Sequence, residues 1–223
     1  MVLTGALAVG GLGGGGFALS QELTRKPTQA EISVAATKEL AQRWRTRTAA
    51  EIFPQTVSYS TDQSAHRIGI APMATCAEAL DPRIAQVLIK SGCSAVLRAT
   101  YADATGTVVG TIGMAVLPDY HAADAAHLEI NTSTEQFGVR AVGFPGTAAA
   151  KFGDAQRQHW AMAFNEESYV YFVTVGWVDG RATLPVAQQV PEPSYFFALG
   201  LLVKLETGFV LNSDACRSKG IRC

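Results

Sequence analysis

Charge is what this sequence has least of. Only 17% of its 223 residues are Asp, Glu, Lys or Arg, against roughly 25% in an ordinary soluble domain. The deficit is local: all 18 Lys and Arg and all 19 Asp and Glu fall after residue 20. A formal net charge of −1 supplies no basic field, which excludes nucleic acid as a partner. Histidine and cysteine occur four times each, with no C-x-x-C pair, so a zinc ribbon and a thioredoxin-type redox pair are excluded. No G-x-S-x-G elbow, H-E-x-x-H pair, P-loop or kinase set is present, so no motif announces a catalytic class.

The longest uncharged tract is the first feature that is present. Val2 to Leu19 holds no charge and seven glycines, and with its neighbours it approaches the ~20 apolar residues that cross a bilayer as a helix. Lipid tolerates glycine in a helix because no water competes for the backbone. Residues 1–22 are therefore expected to be a transmembrane or signal segment that contacts the lipid bilayer. Gly11-Leu12-Gly13-Gly14-Gly15-Gly16 also fits G-x-G-x-x-G, but a dinucleotide site needs a second strand within about 30 residues, ending in an acid for the ribose. A helix signal stands there instead, which leaves a cytosolic nucleotide-binding protein as a minor alternative. Arg25 and Lys26 follow the run, the reverse of the usual exported orientation, and basic residues are expected upstream of Met1. Ala18-Leu19-Ser20 has the small-x-small form of a signal peptidase site, so secretion after cleavage near Ser20 is the alternative to a single-pass anchor. No cysteine follows the run, which excludes a lipoprotein.

Cys76, Cys93, Cys216 and Cys223 have neighbour spacings of 17 and 7 within the outer pairs. Proximity pairs Cys76 with Cys93 and Cys216 with Cys223, although four cysteines allow three connectivities. Bridges form in an oxidising compartment, so they argue for export.

Thr28 and Glu31 form a capping box that opens a helix. Ile32, Ala36, Leu40 and Trp44 then make a narrow apolar stripe, and residues 23–48 read as a stalk helix preceding a domain at 49–223. Arg43, Arg45 and Arg47 read as a solvated charged face, with contact to anionic lipid headgroups as the alternative. Beyond residue 53 strand signals dominate. They fall at His66 to Ala71, Ser94 to Ala102, Thr107 to Leu117, Phe137 to Phe144, His159 to Phe164 and Tyr169 to Val178. Asp103 to Gly106 is the turn of an antiparallel hairpin. Asp81-Pro82 starts one helix and Asp119 caps another. Tyr195 to Val203 is too short to span a bilayer and is expected to be a buried helix closed by Lys204 and Glu206. The fold class is α+β, a mainly antiparallel sheet covered by helices, preceded by the N-terminal transmembrane or signal helix.

Through Gln42-Arg43-Trp44-Arg45, the run from Arg67 to Pro72 and the run from Gly92 to Tyr101, the chain resembles a group of uncharacterised actinobacterial proteins. These have one N-terminal membrane segment and an extracytoplasmic domain. The resemblance covers most of residues 30 to 120 and implies no activity.

His121, Asp124 and His127, with Asp119 and Glu129 nearby, are the densest set of metal-ligand types, and helical spacing puts Asp124 and His127 on one face. A polar, exposed helix among alanines is the preferred reading, and a metal site at these residues is the alternative. Cys93 beside His66 offers a thiol nucleophile only in the absence of bridges. Glu166 and Glu167 read as a solvated hairpin tip, and Trp160, Trp177, Tyr169 and Tyr171 as core. Arg98 is expected either to face solvent or to pair with an acid across the hairpin. No catalytic residue and no cofactor are assigned. The function expected is a membrane-anchored extracytoplasmic binding or accessory module of the cell envelope, with an envelope protein as partner. An extracytoplasmic hydrolase, metal-dependent in one form, is the alternative.

Overall fold

Thr28 opens the first helix as its spacing to Glu31 predicts. The computed structural model describes residues 25–132, 138–164, 168–182 and 193–211; the apolar segment 1–22, Cys216, Cys223, Glu166 and Glu167 lie outside them. Among the described residues no helix is long and apolar enough to cross a membrane. The chain divides into two units, residues 1–39 with 214–223, and residues 40–213.

In the first unit the Glu31 carboxylate accepts from the Thr28 backbone N–H at 2.8 Å, while the Glu31 N–H donates to Thr28 Oγ1 at 3.3 Å. Arg25 grips the same carboxylate at 2.5 and 2.8 Å. That guanidinium, followed by Thr28, lowers the Glu31 pKa to about 2. The helix they start, α1 (Gln29–Thr46), ends inside the second unit.

The second unit is built on one six-stranded sheet, β1 (Thr56–Ser58), β2 (Ser64–Ile70), β3 (Ala95–Asp103), β4 (Val108–Val116), β5 (Arg157–Phe164) and β6 (Tyr169–Trp177). The spatial order is β1-β2-β3-β4-β6-β5, with every neighbouring pair antiparallel. The hairpin expected around Asp103 is β3–β4. Its turn is held by the Asp103 carboxylate, which accepts from the N–H groups of Thr107 at 2.7 Å and Val108 at 2.8 Å, while Gly106 takes φ +67°. Every residue of β4 is buried, and β6 is buried except at Trp177. Both strands lie inside the sheet, so both of their faces must be covered.

Successive residues alternate between the two faces. One face carries Ile112, Met114, Tyr169, Tyr171, Val173 and Val175, packed under α6 (Pro193–Leu211) through Phe197, Leu201, Leu205 and Phe209. Those four recur every fourth residue, the helical period. The helix expected over Tyr195 to Val203 thus covers the sheet, but it continues through Lys204 and Glu206 to Leu211. Exposed Lys204 and half-buried Glu206 leave the core-facing positions Leu201, Leu205 and Phe209 apolar, so they do not end the helix. Leu40 and Trp44 of α1 join this core, and the Tyr169 hydroxyl donates to the Leu40 carbonyl at 2.7 Å. Arg43 corrects the solvated-face reading: it is fully buried, donates to the Phe209 carbonyl and lies 5.2 Å from the Phe209 ring centroid.

The opposite face carries Val96, Ala115, Val170 and Phe172 under α4 (Pro82–Lys90) and α5 (Tyr120–Asn131). Short α3 (Cys76–Ala79) precedes α4 and has its own capping box, Thr75 with Glu78. The expected Cys76–Cys93 disulfide is formed, with Cα atoms 6.3 Å apart, and it brackets α4. Asp119 caps α5 by accepting from the Ala122 N–H at 2.9 Å.

The strand expected at Phe137 to Phe144 is a correction. Of its described residues only Val139 is in a ladder, as an isolated bridge to Leu80. The segment crosses the face of the sheet. Val142 donates from its N–H to Thr111 Oγ1 at 2.9 Å and accepts from Thr100 Oγ1 at 2.7 Å. It fits because the strands beneath carry glycine: a Cβ on Gly113 would come within 2.7 Å of Val139, and Phe144 occupies the space above Gly69. Side-chain hydroxyls of the sheet supply the partners that a ladder would otherwise provide.

Candidate functional site

β1 is one of the two edge strands, three residues long, and among the described residues it pairs only with β2. The Arg67 N–H donates to the Gln55 carbonyl at 2.8 Å and the Tyr59 N–H to the Gln63 carbonyl at 3.1 Å. Main-chain groups alternate in direction along an antiparallel strand, so those of Thr56 and Ser58 point away from β2, to the open side. Val57 turns its side chain into the core.

Ahead of β1 the chain is anchored from two sides. Thr48 caps α2 (Ala49–Ile52) in a box with Glu51, whose carboxylate accepts from the Thr48 N–H at 2.7 Å and Oγ1 at 2.8 Å. At the corner that follows, Arg67 donates to the Phe53 carbonyl and, at 3.0 Å, to Gln55 Oε1. The Tyr101 hydroxyl donates to the Pro54 carbonyl at 2.9 Å. Burial pushes the Tyr101 pKa up, which keeps the phenol a donor.

Between this corner, the end of α1 and the last turns of α6 lies a cavity of about 330 Å³. Its floor is Ile52, Val57, Leu205 and Phe209, all buried. The rim carries Arg47, Glu51, Thr56, Ser58 and Lys204. Gly208 closes one side, and a Cβ there would meet no atom within 4 Å. Lys204 makes no hydrogen bond or ion pair among the described residues. The site therefore offers apolar side chains at its floor, an exposed ammonium, a guanidinium and two outward-facing main-chain N–H groups. Sequence reading did not find it. The signals were Thr48-x-x-Glu51 and a glycine in a helix, but the walls come from segments about 150 residues apart.

The residues singled out from the sequence lie elsewhere. On α5, His121 is exposed with its ring 5.2 Å from that of Tyr120, and His127 stacks at 5.3 Å on Phe164 and lies 3.0 Å from Asn131 Nδ2. Asp124 is half-buried, and among the described residues no three His, Cys, Asp or Glu come together to hold a metal. His66 pairs with Thr56 Oγ1 at 3.3 Å, and Cys93 is in its disulfide, so the thiol nucleophile is gone. Tyr169 and Tyr171 are core, as expected. Arg98 is half-buried, and its Nε has no hydrogen-bond partner among the described residues. Burial lowers its pKa while the carboxylates of Asp154 and Glu78 oppose that.

No protein-family model matches the chain, and no curated protein or solved structure is significantly similar to it.

Proposed function

We infer that this chain is an exported binding or accessory module of the cell envelope, held at the membrane through residues 1–22 with its α+β domain on the outer side. The observation that carries the reading is the Cys76–Cys93 disulfide in the packed layer around α4, because such a bridge persists in an oxidising compartment. The charge-free N-terminal run and the resemblance to actinobacterial proteins of the same layout support the same placement. The rimmed cavity supports binding, and the dispersal of His121, Asp124 and His127 gives the metal-dependent hydrolase no support.

The test is a pair of topology reporters fused after Cys223, one active only outside the cytoplasm and one only inside. Activity of the outer reporter is expected, and activity of the inner one overturns the reading. Alkylation of the denatured, unreduced protein should leave Cys76 and Cys93 unlabelled. Mass analysis of the mature N-terminus separates an anchor from cleavage near Ser20.

A further inference from the structure

We propose that the cavity between β1, α2 and α6 binds a single-chain monocarboxylate, an acid with a compact, unbranched apolar body. This deepens the binding-module reading and rests on it. The floor argues for the apolar body: Ile52, Val57, Leu205 and Phe209, whose side chains are all hydrocarbon, line the cavity, and such side chains gain from displacing water. The rim argues for the anion. Lys204 has no partner among the described residues, and Arg47 stands on the same rim. Glu51 is the one opposing charge among the rim residues, its Oε2 held by Thr48, so two cations face one carboxylate. The outward N–H groups of Thr56 and Ser58 add donors that an edge strand otherwise leaves to water.

Size selects within this class. A volume of about 330 Å³ lies at the bottom of the roughly 300–1,000 Å³ that ligand pockets occupy, which accommodates one short chain and excludes a two-chain lipid. An extended peptide added to the sheet edge would find only three residues of β1 to pair with.

The experiment is calorimetry on the full chain in nanodiscs of zwitterionic lipid, with empty nanodiscs subtracted, using octanoate, octanol and octyltrimethylammonium as probes. Octanoate is expected to saturate at one per chain, with both other probes weaker by at least about tenfold, as the loss of a charge-assisted contact implies. Lys204→Glu should weaken octanoate by about tenfold or more. Gly208→Leu, whose side chain grows into the cavity, should abolish saturation while the melting temperature stays at or above that of the parent. The proposal is overturned if octanoate does not saturate, if octyltrimethylammonium binds as tightly, or if Gly208→Leu binds unchanged. The topology reporters fail independently: an outer signal with no octanoate binding removes the ligand class alone, and saturable binding with an inner signal removes the location alone.

Discussion

A guanidinium taken out of water costs several kcal/mol unless its donors are used, and Arg43 shows where such a group can be placed. Its acceptor, the Phe209 carbonyl, belongs to the last turn of α6, where the helix dipole is negative and carbonyls lack intrahelical partners. The sequence could not announce this, since Arg43 sits among Arg45 and Arg47 and reads as one of a solvated group. What it did contain was the position: Arg43 stands three residues after Leu40, on the face that the apolar stripe commits to the core. Glu206 is the opposite case. Burial raises its pKa, so the folded state bears a cost when the group is charged, and stability rises as pH falls through the raised value. Glu206→Gln is therefore expected to raise the melting temperature by about 1–2 °C at pH 7, because partial hydration screens the cost. The gain should vanish in acid, where the parent carboxyl is neutral. A gain that is equal at both pH values would show that the charge is not the cause.

Single elements show where local rules yield to tertiary partners. Asp81 is the N-cap of α4, as its place before Pro82 implies, yet its side chain makes no capping bond. Both carboxylate oxygens accept instead from Arg157 of β5, at 2.7 and 3.0 Å. Arg157 is almost wholly buried, its side chain 8% exposed against 19% for Asp81. The pair ties an edge strand to a helix on the face of the sheet. Removing Asp81 takes away the bidentate partner of a buried guanidinium and leaves it the more exposed Asp154 carboxylate at 3.5 Å, so Asp81→Ala is expected to cost about 3 kcal/mol, the lower end for such a pair, as measured by urea unfolding. Replacing both residues by apolar ones should recover most of that loss. If Asp81→Ala unfolds at the parent's urea concentration, the pair is not a tie. The segment from Gly138 to Phe144 makes a related point. Its β-branched and aromatic residues favour a strand locally, but Thr100, Thr111 and the glycines of β2 and β4, Gly69 and Gly113, give it a better place across the sheet.

At the scale of the molecule, the parts legible in the sequence were those specified by contiguous residues: the β3–β4 hairpin, the caps at Thr28 and Asp119, the apolar β6 and the Cys76–Cys93 closure. The cavity was illegible because its floor and rim join residues 47–58 to residues 204–209, a juxtaposition that exists only once α6 has packed on the sheet. The disulfide bears on the whole fold. Closing a loop of 17 residues restricts the unfolded chain by ~3 kcal/mol, so Cys76→Ser with Cys93→Ser should lower stability by about that amount. Reductant should reproduce the effect in the parent and leave the double variant unchanged. A double variant as stable as the parent would make the bridge a bystander.

The attachment of the last turns of α1 has a mechanical meaning. The Leu40 carbonyl is held by Tyr169 of β6 and the Arg43 side chain by α6. A pull on the chain arriving at Leu40 is therefore delivered to a strand paired on both sides, through nine registered positions with β4 on one flank. The edge strands β1 and β5, which would peel most easily under load, are bypassed, so the domain is hung from its middle.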